Sequence, residues 1–169
     1  MSLTKLKNRK LKRKKSLNNV FIAIGTNKGN RKKNISNALE LLKENKNIKI
    51  LKVSKMFKNP PQEGIKSGYF LNGAIQLKTL LTPVQLLRTC KNIEKKLGRT
   101  IRKKKTSRII DLDILFYENK ILKRSKFTIP HPMLHKRYFV LIPLVEIAPK
   151  FHHPIFKKSI RELHKCLGA

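Results

Sequence analysis

The sequence predicts an α+β fold, a ferredoxin-like antiparallel sheet with helices packed on one face and long loops between the elements. Three observations lead there. Strand-like and helix-like segments run as strand, helix, strand and then strand, helix, strand again. The strand-like segments repeat apolar residues with period two, and the helical ones with period 3.6. No internal repeat suggests a solenoid, and 169 residues suffice for one well-formed core but not for two generous ones.

Residues 1–19 are expected to be a basic, disordered tail, with residues 20–169 as a single domain. "KLKNRKLKRKK" carries eight positive charges and no acid, and no apolar periodicity offsets the entropy of ordering it. From Val20, "VFIAIG" is a short β-branched run ending at Gly25. The polar turn "TNKGN" follows, and Ile35, Ala38, Leu39 and Leu42 then share one helical face. "IKILKVSKMF" alternates as a strand, with Leu51, Val53 and Phe57 on one side and lysines largely on the other. "NPPQEGIKSG" is a loop on proline and glycine grounds. In "YFLNGAIQLKT", Leu71, Ile75 and Leu77 face one way and Phe70, Asn72 and Gln76 the other, so one sheet face is buried and one is free to work.

The next helix has full punctuation. Thr82 is its N-cap, Pro83 its first residue, Leu86, Leu87, Cys90, Ile93 and Leu97 its apolar stripe, and Gly98 its terminator. A very basic loop, residues 99–108, leads into the strand "IIDLDILFY". "TIPHPMLHKRYFVLIPLVEIAP" then reads as a proline-stiffened loop and a short helix, and "IRELHKCL" as one or two further helical turns.

Charge narrows the partners only partly. Forty-one Lys and Arg against nine Asp and Glu give +32, which suits nucleic acid, an anionic membrane surface or phosphorylated small molecules. The basic residues are spread over nearly every segment beside many Asn and Ile, as an AT-rich codon bias would also produce. No stretch has the length of a transmembrane helix and the start lacks a secretory apolar block, so the cytoplasm is the expected compartment. Cys90 and Cys166 have neither disulfide-framework nor metal-ligand spacing and are read as packing residues.

Asp111 and Asp113 are the only aspartates in the chain. At i and i+2 of a strand they present two carboxylates side by side while Ile110, Leu112 and Ile114 enter the core. Two such charges need a cation. Surface lysines could supply it, but exposed pairs of that kind contribute little. Magnesium is hard, prefers oxygen and is often held by one or two carboxylates together with substrate phosphates. Arg99, Arg102, Lys104, Lys105 and Arg108 before the pair, and His131 and Arg137 after it, would then serve as phosphate ligands. Neither a GxxxxGK[ST] loop nor the protein-kinase motif set is present. Phe70 and Asn72 on one strand face suit a flat heterocycle, the ring stacking and the carboxamide reading donors and acceptors.

In the order "IAIGTNKGNRKKNISNALELL", "NPP" with "YFLNGAI", "IEKKLGR", "SRIIDLDILFY" and "IPHPMLHKRYFVLIPLVEIAP", residues 20–165 resemble the 6-hydroxymethyl-7,8-dihydropterin pyrophosphokinases of folate biosynthesis. The resemblance implies transfer of the β,γ-diphosphoryl group of ATP to the pterin hydroxymethyl oxygen, with release of AMP. It implies two magnesium ions held by Asp111 and Asp113, with Arg99 and Arg108 stabilising charge on the transferring group. Lys91, Glu94, Arg102, Arg108, Ile114, Lys126, Thr128, His131 and Arg137 match the ATP-binding positions, Lys91 standing where the family often has Gln. Phe70 and Phe139 match the two faces of the pterin sandwich, Phe70 replacing the more usual Tyr. Asn72 and the backbone of Asn59, Pro60 and Pro61 match the groups that read the ring edge. Where the family commonly has Arg-Trp-x-Pro-Arg before the aspartates, this chain reads "KKTSR", which keeps only the final Arg108 and bears on loop closure more than on fold. The implied partners are ATP and the pterin, with no specific nucleic acid, no membrane and a monomeric state. A nucleic-acid module of RRM type is the rival from another class, and it would need an aromatic-rich RNP1 strand that no segment supplies.

Overall fold

In the computed structural model, which describes residues 16–60, 68–99 and 107–168, the sheet is built around its first strand. β1 (Asn18–Thr26) is followed by α1 (Arg31–Lys43), β2 (Ile48–Val53), β3 (Phe57–Asn59), β4 (Phe70–Thr79) and α2 (Pro83–Lys96). β5 (Asp111–Tyr117), β6 (Leu122–Arg124), β7 (Phe127–Ile129), a 3-10 turn (Leu134–Lys136), α3 (Tyr138–Ile147) and α4 (Ile160–Leu167) complete the chain. β1 lies between β4 and β5, β2 continues the sheet beyond β4, and the named pairings are antiparallel. The order β2-β4-β1-β5 is the ferredoxin-like arrangement. β1 starts at Asn18, two residues before the expected Val20, and residues 1–15 of the expected tail lie outside the described residues.

The alternation along β1 explains why both faces are covered. Val20, Ile22 and Ile24 join Ile35, Ala38 and Leu42 of α1 and Leu86, Cys90 and Ile93 of α2 in one core. Phe21 points the other way, into a second core with Val140, Leu141 and Leu144 of α3 and Ile160 and Leu163 of α4. The antiparallel α+β reading therefore stands, while helices on one face describes only α1 and α2. The sequence concealed the second layer because α3 is apolar nearly all round and gives no one-sided stripe. α2 forms as expected: the Thr82 hydroxyl and the Gln85 side chain cap it reciprocally, and Gly98 beyond its end adopts φ +90°. Each of its fully buried aliphatic side chains contributes roughly 2 kcal/mol.

Three local expectations need correction. The single strand from Ile48 to Phe57 is broken: Ser54 donates its backbone N–H to Ala74, its hydroxyl accepts the Ala74 N–H at 2.9 Å, and Met56 fills the space above Gly73. With the register shifting between Ile50 and Lys52, Ile48 and Ile50 turn inward, and Leu51, Val53 and Phe57 are exposed. Cys90 is a packing residue whose thiol burial pushes up to about 12, but Cys166 is exposed on the outer side of α4. The β6-β7 hairpin had no counterpart in the pattern of strands, being two strands of three residues each.

The segment after α3 is fixed by His153. Its ring is buried against Phe116 and Phe156, with centroids 5.4 and 4.5 Å away, and its Nδ1 accepts the N–H groups of Ile155 and Phe156. Burial, with His135 nearby, lowers its pKa to about 4. The unfolded chain binds a proton below about 6.5 that the folded chain refuses, so stability falls as pH drops from 6.5 toward 4 and is unaffected by this group above that window. Melting temperatures across pH 7 to 5 should show the decline, and His153→Asn, which keeps an acceptor, should flatten it. An unchanged slope in the variant would contradict the assignment.

Candidate active site

Asp111 and Asp113 open β5, which is an edge strand, and Ile110, Leu112 and Ile114 alternate with them into the core. The two carboxylates therefore share the outer side, with Asp111 18% and Asp113 36% exposed. β1 is Gly25 at the position in register with Asp111, and the same Gly25 is in register with Asn72 of β4 on its other side. A Cβ at residue 25 would lie 2.6 Å from the Asn72 Oδ1, so a side chain there would displace the carboxamide. Asn72, Gly25 and Asp111 form one row across the sheet.

A network of charge surrounds Asp111. Arg99 Nη1 lies 2.5 Å from Asp111 Oδ1 and 2.5 Å from Glu94 Oε2, and Arg108 donates to Asp111 Oδ2. Glu94 is a buried carboxylate near the end of α2, and its Oε1 accepts both the Leu112 backbone N–H and the Lys91 ammonium at 2.8 Å. Burial raises the Glu94 pKa against the opposing pull of Lys91. Burial would also raise that of Asp111, but Arg108, Arg99 and Lys91 outweigh it and hold the carboxyl below its ordinary value. Arg99 is affected in the complementary sense: burial acts to lower its pKa, and Asp111 with Glu94 raises it. Lys91 also approaches Asp113, at 3.9 Å.

Beside Asp113 opens a cavity of about 440 Å³. Lys91, Asp113, Ile114, Lys126, Thr128 and His131 line it, so most of the sequence-predicted nucleotide residues meet there. The β6-β7 hairpin forms one wall, and it brings Arg124 and Ser125, which the sequence reading had not singled out. Burial, together with Arg137, lowers the pKa of His131 despite the nearby Asp113. Arg137 lies at the N-cap of α3 with its guanidinium 5.9 Å from the Phe139 ring.

Across the sheet, Asn72 is buried and its amide donates to the Asn59 side chain. Asn59 is paired with Phe70, where β3 meets β4, and Asn59 Nδ2 also donates to the Pro60 carbonyl. α3 packs over β4 and β3, carrying the half-buried Phe139. Pro61 and Arg102 lie outside the described residues, as does most of the "KKTSR" stretch. The sequence reading missed Asn27, which is buried and closes a two-way link: its N–H donates to the Arg108 carbonyl at 3.1 Å, and its Oδ1 accepts the Arg108 N–H at 2.6 Å. Its signal was the turn "TNKGN", read only as a change of direction.

Comparison with known proteins decides the family. The profile of the 7,8-dihydro-6-hydroxymethylpterin-pyrophosphokinase family matches residues 21–149. The chain is 38% identical to the 2-amino-4-hydroxy-6-hydroxymethyldihydropteridine pyrophosphokinase of Aquifex aeolicus over 143 residues, 85% of this chain and 88% of that protein. It belongs to this family. The pyrophosphokinase is accordingly a diphosphotransferase, and its relatives belong to folate synthesis: it is 35% identical to the folic acid synthesis protein fol1 of Schizosaccharomyces pombe, covering 84% of this chain but only 19% of that one. A solved HPPK-DHPS in complex with substrates shares the fold at a TM-score of 0.74 and 16% identity, covering 89% of this chain and 43% of that chain. No described helix of the pyrophosphokinase is long and apolar enough to cross a membrane.

Glu94 is the buried member of this network and accepts from three donors. Glu94→Ala would leave Arg99 and the Leu112 N–H without their buried acceptor, and we expect unfolding free energy to fall by about 3 kcal/mol. Glu94→Gln, which keeps an acceptor for Leu112, should cost less. Urea denaturation of both variants checks the order, and equal losses would mean that the charge, not the strand contact, is what matters.

Proposed function

We propose that this chain transfers the β,γ-diphosphoryl group of ATP to the hydroxymethyl oxygen of 6-hydroxymethyl-7,8-dihydropterin, with ATP and the pterin bound on the two sides of the Asn72–Gly25–Asp111 row. The observation that carries this reading is the pair of carboxylates, Asp111 held between two arginines and Asp113 beside Lys91, at the edge of the adjoining cavity. In the transfer, the pterin oxygen forms a bond to Pβ as the bond from Pβ to the bridging oxygen of AMP breaks, and the hydroxymethyl proton leaves to solvent.

The donor set suits a hard divalent cation. Asp111 and Asp113 offer oxygens on one strand face, and the described residues contain no group of three His, Cys, Asp or Glu able to hold an ion by themselves, so water and phosphate oxygens would complete the shell. When bound, two magnesium ions would neutralise phosphate charge and orient the attacking and leaving oxygens. Arg99 and Arg108 now occupy the Asp111 oxygens, and on binding their guanidinium groups would turn to phosphate oxygens, exchanging one anionic partner for another. Lys91, Ile114, Lys126, Thr128 and His131 would receive the nucleotide, together with Glu94 and Arg137. His131 is held neutral by its surroundings and can donate or accept one hydrogen bond without adding a charge.

On the pterin side, Phe70 and Phe139 would stack on the ring, while Asn72, Asn59 and the backbone of Asn59 to Pro61 read its edge. Phe in place of Tyr keeps the stacking face. We place the protein in the cytoplasm as a monomer with no specific nucleic acid partner.

Incubation with ATP, magnesium and the pterin, followed by nucleotide analysis, tests the reaction. AMP that forms only when pterin is present is the expected result, and ADP or unchanged ATP would sink the proposal. Asp111→Ala and Asp113→Ala should each lower turnover by roughly a hundredfold or more while the far-ultraviolet circular dichroism is retained. Near-normal rates in both would remove the metal assignment.

A further inference from the structure

We infer that Arg31 is a positioning residue for the pterin half of the site, an inference that rests on the function proposed above. Arg31 is the first residue of α1, where a cation opposes the helix dipole, and its guanidinium folds away from the helix onto the hairpin that carries Phe70. Its Nε donates to the Tyr69 carbonyl at 2.9 Å and its Cζ stands 4.2 Å from the centre of the Tyr69 ring. Its Nη2 donates to the Asn27 carbonyl at 3.2 Å. Gly68 leaves the path of the guanidinium clear, since a Cβ there would lie 2.6 Å from Nη2.

These contacts have a direction. Tyr69 precedes Phe70 and stands two residues from Leu71 and three from Asn72, so holding its carbonyl and ring fixes the entry of β4 and the stacking residue with it. Lys58 adds a second cation 4.2 Å from the same ring and belongs to β3, beside Asn59. Arg31 thus holds the entry of β4, whose Tyr69 ring also receives Lys58 of β3, and ties it to Asn27. Asn27 bonds to Arg108 through its own N–H and Oδ1, and Arg31 uses a different atom, the Asn27 carbonyl. Removing the guanidinium should therefore loosen the pterin side and spare the nucleotide side.

The test is Arg31→Ala and Arg31→Lys in the full chain, with steady-state KM for each substrate and amide hydrogen exchange in the ligand-free protein. Arg31→Ala should raise the KM for 6-hydroxymethyl-7,8-dihydropterin roughly tenfold, with the KM for ATP changed less than about twofold. Arg31→Lys, which keeps a cation over the ring but not the fork, should restore part of the loss. Exchange should quicken at residues 69–72 and stay unchanged in β5. An unchanged pterin KM, an equal rise for both substrates, or unaltered exchange at residues 69–72 would each overturn the inference. A wild-type chain that makes no AMP from ATP and pterin would sink the functional reading, and the exchange measurement would still judge the clamp.

Discussion

The buried carboxylate of Glu94 is the constraint from which the rest of the site follows. An edge strand offers unpaired N–H groups to whatever approaches it. Here the Leu112 N–H finds its acceptor on α2, which both blunts the edge and sets the height at which Asp111 and Asp113 emerge. The same carboxylate holds Lys91 and Arg99, so the cations that face the aspartates are anchored by the group that anchors the strand. One side chain thus serves the strand and its neighbouring cations, and a buried charge is tolerated because three donors meet it.

The ligand-free site is neutralised from within. Two arginines and a lysine stand among three carboxylates, and the low pKa of Asp111 follows from that company. Charge preorganised in this way needs little rearrangement to meet an anion, since the guanidinium groups are already held together and charged. Much of the strongly basic composition is spread over the surface, whereas Lys91, Arg99 and Arg108 each stand beside a carboxylate.

How far the sequence revealed this depended on the length of each signal. The helix after Thr82 was readable because cap, proline, stripe and glycine agree within one segment. The aspartate pair was readable because acid is rare in the chain and the spacing of two has a fixed meaning in a strand. The break at Ser54 was not, because a side-chain hydroxyl replacing a ladder bond leaves no trace in hydrophobic pattern. Arg31 was also invisible, its partner Tyr69 lying 38 positions away, and the turn that holds Asn27 gave no sign of Arg108, 81 positions away. Cys166 was misplaced because a small apolar residue on a short helix can fall on either side of it.

The row from Asn72 through Gly25 to Asp111 acts as a ruler. Two inter-strand steps separate its ends by about 10 Å, a length set by backbone hydrogen bonding and not by any side chain. Loops at either end can vary in sequence without altering the distance between the amide and the carboxylate. What the ruler cannot absorb is a side chain at its midpoint, where a Cβ on residue 25 would push the Asn72 carboxamide out of the row.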